Sequence, residues 1–303
     1  MLRRTTGGLT TYHFENLDGL VLTHAVFTRL GGASQPPFST LNVGRSVGDD
    51  PATVIENLGR VYGALGLGAN QVATAHQVHS NRVAVATATD GGQILPNTDG
   101  LVTDTPGLAL LLRFADCQPI VLYDPAHHAL GLVHAGWRGV AQGIALRALE
   151  AMQAAFDTRP ADLIAGLGPA IGVCCYTVGD VVASAMGYAL PDWQAAMQPD
   201  PSGEGWRLDL SAANMQQLVS AGVPAGHVEQ ADLCTSCHND EFFSHRADNG
   251  STGRFAAIAF LCPIARPDRQ EARTEARVEP AAEIPIADTL DPPGLPGFDE
   301  LIG

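Results

Sequence analysis

The chain contains no lysine: all seventeen of its basic residues are arginine. Chemistries that need a side-chain amine are thereby excluded, among them Schiff-base catalysis, pyridoxal phosphate enzymes and the P-loop. An anionic substrate must be held by arginine, histidine or backbone amides. Positive charge is scarce altogether, with 32 acids and a formal net charge of -15. Nucleic acid and anionic membrane surfaces are bound through basic patches, so neither is an expected partner. No run approaches the roughly eighteen apolar residues of a membrane span. The opening "MLRRTTGGLTTYHFENLDG" lacks the apolar stretch of a signal peptide, and the cytoplasm is the expected compartment.

Cysteine is also sparse. Cys117, Cys174, Cys175, Cys234, Cys237 and Cys262 are too few and too irregularly spaced in 303 residues to read as a disulfide framework. Reduced thiols are expected, one or more of them functional.

With 46% hydrophobic residues the chain can bury a large core, and its length lies in the single-domain range for mixed α/β proteins. The composition shifts at residue 263. From there to 303 lie seven of the twenty prolines and nine acids against four arginines, which reads as an acidic, Pro-rich, mobile tail. Residues 1–262 form the expected catalytic domain. Within it "VLTHAVFTR" and "NRVAVATA" read as strands and "PATVIENLGRVYGALG" as a helix. "LALLLRFADCQPIVLYD" and "ALGLVHAG" are apolar runs joined by a turn at residues 124–128, hence adjacent strands. "VAQGIALRALEAMQAAF" and "SAANMQQLVSAG" have helical spacing, while "DLIAGLGPAIG" and "RFAAIAFL" supply further strands. The pattern predicts one α/β domain with mixed sheets.

Chemistry concentrates around "VHAGWRG", residues 133–139. His134 ends a buried strand, and the two glycines lead toward a helix whose N-terminus would favour an anion. Arg138 offers a guanidinium and Trp137 a flat apolar wall. "FADCQPI" places Asp116 and Cys117 on the neighbouring strand, seventeen residues before His134 in the case of the thiol. Such a pair serves either as nucleophile and base or as two ligands of one metal. "AHQVHSNR" adds His76 and His79; on a strand only one can face the site, and His79, beside Ser80 and Asn81, is the candidate, with His76 buried or behind the ligands. His79, Cys117 and His134 together leave a fourth position open on zinc, the catalytic arrangement, and the same mixed set suits copper.

Other motifs carry less. "GLGPAIG" fails the dinucleotide fingerprint, with Ile171 at the third glycine. Cys234 to His238 spell a c-type haem sequence without an export signal, and no second CxxC completes a zinc ribbon. That pair reads as a loop element open to oxidation, and the adjacent Cys174 and Cys175 as packing against the glycine loop.

"TDGLVT", "ADCQPI", "HAGWRG", "GPAIGVCCYTVG" and "CTSC" followed by "FFSHRADNGSTGR" occur in this order between about residues 20 and 262. In these motifs the chain resembles the multicopper polyphenol oxidase, or laccase-domain, family, also described as YfiH-type purine nucleoside phosphorylases. The resemblance implies a single compact α/β (α+β) domain with two mixed β-sheets and flanking helices. It implies zinc on His79, Cys117 and His134, and phosphorolysis of adenosine, inosine and methylthioadenosine to base and ribose 1-phosphate, with adenosine deamination as a second reaction. Arg29, Asn42, Asp99 and Arg138 fall in motifs expected to line the pocket. One departure stands at Ser244-His245-Arg246-Ala247-Asp248, where the family reads Ser-x-Arg-Arg-Asp; Arg246 or Arg254 must then compensate.

Under this reading arginines position phosphate against the anomeric carbon, and charge complementarity does most of the work. Deamination would use water activated at the metal, with Asp116 or Asp99 moving protons. Three rivals differ in class. Copper-dependent phenol oxidation needs His-x-His pairs, and the ten histidines include none. A cysteine amidohydrolase acting on muropeptide precursors would use Cys117 as nucleophile and His134 as base. A zinc-stabilised binding module would turn nothing over. Oligomeric state is not legible.

Overall fold

The computed structural model describes residues 1–264. The expected tail therefore lies, beyond residues 263 and 264, outside the described residues. The chain opens with strands β1 (Leu2–Thr6), β2 (Leu9–His13) and β3 (Leu22–Phe27), then helix α1 (Pro51–Ala64). There follow β4 (Val72–Ala75), β5 (Val83–Val85), β6 (Ile94–Leu95), β7 (Gly100–Thr103), β8 (Ala109–Phe114), β9 (Gln118–Asp124) and β10 (Ala129–Ala135). Helices α2 (Trp137–Ala141) and α3 (Ile144–Phe156) precede β11 (Ile164–Leu167), β12 (Thr177–Val178) and α4 (Asp180–Ala189). The last elements are β13 (Met197–Pro199), β14 (Trp206–Leu208), α5 (Leu210–Ser220), β15 (Val228–Gln230) and β16 (Phe255–Leu261).

Two mixed sheets organise these elements, as expected. The larger has the order β1-β2-β3-β16-β8-β4-β6 and the smaller β15-β11-β9-β10-β7-β5. Parallel pairs occur in both, β4 with β8 and β6 in the first, β5 with β7 and β11 with β15 in the second. A third sheet, the antiparallel set β12-β14-β13, was not expected from the pattern. Its strands have two or three residues each, too short to show alternation.

Both main sheets are apolar on two faces. Val121, Leu130 and Leu132 of the smaller sheet pack with Leu110, Leu112 and Phe255 of the larger one. The opposite faces are covered by α3 through Ile144, Ala148 and Met152, and by α1 through Val54, Leu58 and Val61. The α1 residues recur at spacings of four and three, one helical face. Asp50 caps that helix by accepting the Thr53 amide at 2.9 Å, and Pro51 takes the position where no amide partner is needed. No helix among the described residues is long and apolar enough to cross a membrane.

Two expectations change. The run 108–124 is not one strand: it is β8 in one sheet and β9 in the other, broken at Asp116, whose φ is 81°. The helix expected from residue 140 is likewise interrupted, because Gly143 turns left-handed at φ 73° and α3 starts afresh behind it.

Within β3, His24 is 4% exposed and its Nε2 accepts the Phe14 amide at 2.7 Å. An accepting nitrogen cannot carry a proton, and burial with His13 nearby lowers this histidine to about 4. Below about 6.5 the unfolded chain takes up a proton that the native one refuses, so stability falls with pH until about 4. The loss from this group should reach about 3 kcal/mol. Urea midpoints of the wild type and His24→Gln at pH 7 and 4 check this: the wild type should lose more, and parallel losses would contradict it.

Candidate active site

The site forms where the chain crosses from one sheet to the other. In the β9–β10 hairpin Gln118 faces Ala135 and Pro119 faces His134. Cys117, just before β9, therefore lies beside the end of β10 and its following glycine. A Cβ on Gly136 would come within 2.8 Å of Cys117 Sγ and 3.2 Å of His79 Cδ2. The first glycine of "HAGWRG" is thus required by the thiol and imidazole it admits. His79 arrives from the loop after β4 in a left-handed conformation, φ 60°.

Asp99 ties these pieces together. Its carboxylate, with no exposed surface, accepts the amides of Val78, His79 and Ser80 at 3.2, 3.0 and 2.7 Å and the Ser80 hydroxyl at 2.7 Å. His134 Nδ1 bonds to Asp99 Oδ1 at 2.9 Å, and the His134 amide donates to the Asp99 carbonyl at 2.7 Å. With Nδ1 engaged, Nε2 is the nitrogen left for a ligand. Potential ligand atoms of His79, Cys117 and His134 all lie within 4.8 Å of one another. Their imidazole centroids are 5.0 Å apart. Two imidazoles and a thiolate, one imidazole braced by a carboxylate, fit zinc by donor chemistry, and copper is compatible.

Electrostatics point the same way. Burial would raise the Cys117 thiol, but the adjacent His134 and His79 outweigh it and bring the pKa down to about 6. Burial would likewise lower His134, but Cys117 and Asp99 lift it to about 9. Against the cost of its burial, Asp99 is kept ionised by His134 and Ser80, with a pKa of about 2. The trio is a ready-made environment for a thiolate.

His76 stays outside the trio, exposed, with Nδ1 3.2 Å from Asn97 Oδ1. The strand that was to set it opposite His79 ends at Ala75, so a loop rather than strand alternation separates them. Asp116 accepts Thr235 Oγ1 at 2.6 Å and the Arg246 amide at 2.7 Å. Arg246 is exposed, its guanidinium bonded to the Thr177 carbonyl at 3.1 Å and set over the Tyr176 ring at 5.3 Å. Arg138 lies over Trp137 at 4.9 Å and makes no ion pair among the described residues. Helix α2, in which it is the second residue, has only five residues, so the expected anion-binding helix end is a single turn. Arg29 is bonded to Ser39 and Asn239, each at 2.8 Å. Asn42, fully buried, bonds Asp49 at 2.8 Å and accepts the amides of Gly44 and Arg254 at 2.8 Å.

Arg254 is half-buried and close enough to Cys117 and Asp116 for their charges to act on it, although burial prevails and lowers its pKa. Cys174 and Cys175, read as packing, converge with Cys234 and Cys237, read as a separate loop pair, into a second cluster within 4.8 Å. Metal-competent side chains thus form two groups among the described residues, and only one contains histidine.

Fold and site define an α/β protein with a metal-competent His, Cys, His centre at the junction of its two main sheets. The chain belongs to the multi-copper polyphenol oxidoreductase laccase family, whose model matches residues 23–262. It is 40% identical over 238 residues to purine nucleoside phosphorylase YlmD of Geobacillus stearothermophilus, covering 76% of this chain and 87% of that one. The crystal structure of YlmD from the same organism superposes with a TM-score of 0.81 at 36% identity, over 86% of this chain and 98% of that one. Bacillus licheniformis hypothetical protein YfiH gives 0.79 at 39% identity, with the same coverage of 86% and 98%.

If Asp99 braces His134, Asp99→Asn should weaken zinc binding by about 10- to 100-fold, read by competition with a chromophoric chelator. Circular dichroism should remain native. Unchanged affinity would contradict the role given to Asp99.

Proposed function

We propose that the protein is a metal-dependent purine nucleoside phosphorylase. It cleaves adenosine, inosine and methylthioadenosine with phosphate to base and ribose 1-phosphate, and deaminates adenosine as a second reaction. The observation that carries this reading is the His79, Cys117 and His134 trio braced by Asp99, in a chain 40% identical to a relative named for that activity.

His79, Cys117 and His134 would hold the zinc, which when bound supplies a Lewis acid for polarising substrate atoms. The protein's own residues account for binding and orientation. Without lysine, phosphate falls to arginine, and Arg138, two residues after the Gly136 that faces Cys117 and His79 and without an ion pair among the described residues, takes it. Trp137 stiffens that side chain from below. Arg246 and Tyr176 form a second wall, with the Arg246 amide anchored on Asp116. Asp116 sits next to Cys117 in sequence at a left-handed turn, and its carboxylate is the group placed to hold or move a proton. Arg29, bonded through Nε and Nη1, and Asn42, bonded through both atoms of its amide, fasten the loops around the pocket. Cleavage through a cation-like sugar then depends chiefly on placement and charge complementarity.

Incubating metal-analysed wild type and Cys117→Ala with adenosine, with and without phosphate, tests the proposal by product mass. Adenine and ribose 1-phosphate should form only with phosphate, and activity should fall at least 100-fold in the variant. Zinc-replete wild type that leaves every purine nucleoside intact would overturn it.

The cysteine amidohydrolase reading is favoured by one feature, the direct apposition of Cys117 and His134. Iodoacetamide separates the two. A metal-held thiolate should be protected until chelation, whereas a nucleophile should alkylate in the resting enzyme.

A further inference from the structure

Four of the five cysteines outside the candidate active site come from two loops far apart in sequence. Cys174 and Cys175 follow β11, and Cys234 and Cys237 follow β15, the strand paired parallel to it. Cys237 Sγ stands 3.5 Å from both Cys174 Sγ and Cys175 Sγ, and all four sulfurs lie within 4.8 Å of one another. Four thiolates on one tetrahedral zinc, with Zn–S near 2.3 Å, would be about 3.8 Å apart. The 3.5 Å pairs need only a few tenths of an ångström to reach that spacing. A disulfide would need them to close by about 1.5 Å, to roughly 2.05 Å. Cys237 is moreover equidistant from two partners, a geometry that suits a shared ion better than one bond.

The surroundings are built for a cluster with excess negative charge. The Gly172 amide donates to Cys234 Sγ at 3.2 Å. A Cβ at Gly172 would meet Cys234 Cβ at 3.1 Å and Cys174 Sγ at 3.3 Å, so the sulfurs occupy the space a side chain would fill. Arg207 donates to the Cys174 carbonyl and Arg246 to the Cys175 carbonyl at 3.4 Å. Two guanidiniums therefore flank a site that would carry two net negative charges with zinc bound.

We propose that Cys174, Cys175, Cys234 and Cys237 form a structural four-thiolate site for zinc, distinct from the His79, Cys117 and His134 centre. The ion clamps the loop after β11 to the loop after β15. Those loops already meet through the Thr235 amide on the Ala170 carbonyl at 3.0 Å, and both grip Asp116: Ile171 donates its amide to the Asp116 carbonyl, Thr235 its hydroxyl to the carboxylate. The clamp thus fixes the turn that presents Cys117.

Cobalt substitution of the full chain under reducing conditions tests the site independently of any activity. Wild type should show the intense thiolate-to-cobalt absorption of a four-sulfur site. Cys174→Ser/Cys237→Ser, at two exposed positions, should lose that band and one equivalent of bound zinc. Cys117→Ser should keep the band, and decides the matter should the double variant not fold. Absence of the band in wild type, its persistence in the double variant, or reduced protein in which these cysteines take up no metal and instead reoxidise to disulfides would each overturn the proposal.

Discussion

Everything at the candidate centre hangs on one buried carboxylate. Asp99 is without exposed surface, and an ionised group in that position is tolerated only because each oxygen is bonded. Its partners are the two elements that must meet: the His79 loop through three consecutive amides, and strand β10 through the His134 ring. One charge thereby sets the left-handed loop, the orientation of one imidazole and the nitrogen that imidazole leaves free. Removing it would leave several buried donors unpaired at once, which is costlier than losing any single hydrogen bond.

The third side chain of the trio, Cys117, depends on a different constraint, the change of sheet at Asp116. β8 runs in the larger sheet between β16 and β4, and β9 runs in the smaller between β10 and β11. The left-handed residue between them turns the chain so that Cys117 emerges opposite Gly136. Asp116 is itself held by Thr235, Ile171 and Arg246, from two further loops. The proposed cysteine clamp binds those loops from the outside, so the two sulfur-bearing sites share one mechanical support while differing in ligand chemistry.

Much of this was legible in the residues. The β9–β10 hairpin announced itself through apolar runs around residues 124–128, and its register brings Cys117 and His134 together. His79 was picked out by its place beside Ser80 and Asn81, and it does lie in a loop with positive φ; strand alternation does not separate it from His76, because β4 ends at Ala75. The break at Asp116 was hidden because apolar residues flank it without a glycine. Asp99 was legible as a pocket residue and as a possible proton carrier but not as the brace of His134, since the donors it satisfies come from positions 78–80 and 134, which no local pattern connects. The four-cysteine cluster was invisible for the same reason: residues 174 and 237 meet only because β11 and β15 pair, a contact fixed by the tertiary fold.

If Asp99 and the sheet junction bring His79, Cys117 and His134 together around one metal, anomalous scattering at the zinc edge from crystals of the zinc-loaded protein will reveal it. A peak should appear bonded to Cys117 Sγ, His134 Nε2 and a His79 nitrogen, with Asp99 outside the coordination sphere. An absence of density between these three side chains, or Asp99 ligating the ion in place of His134, would contradict it.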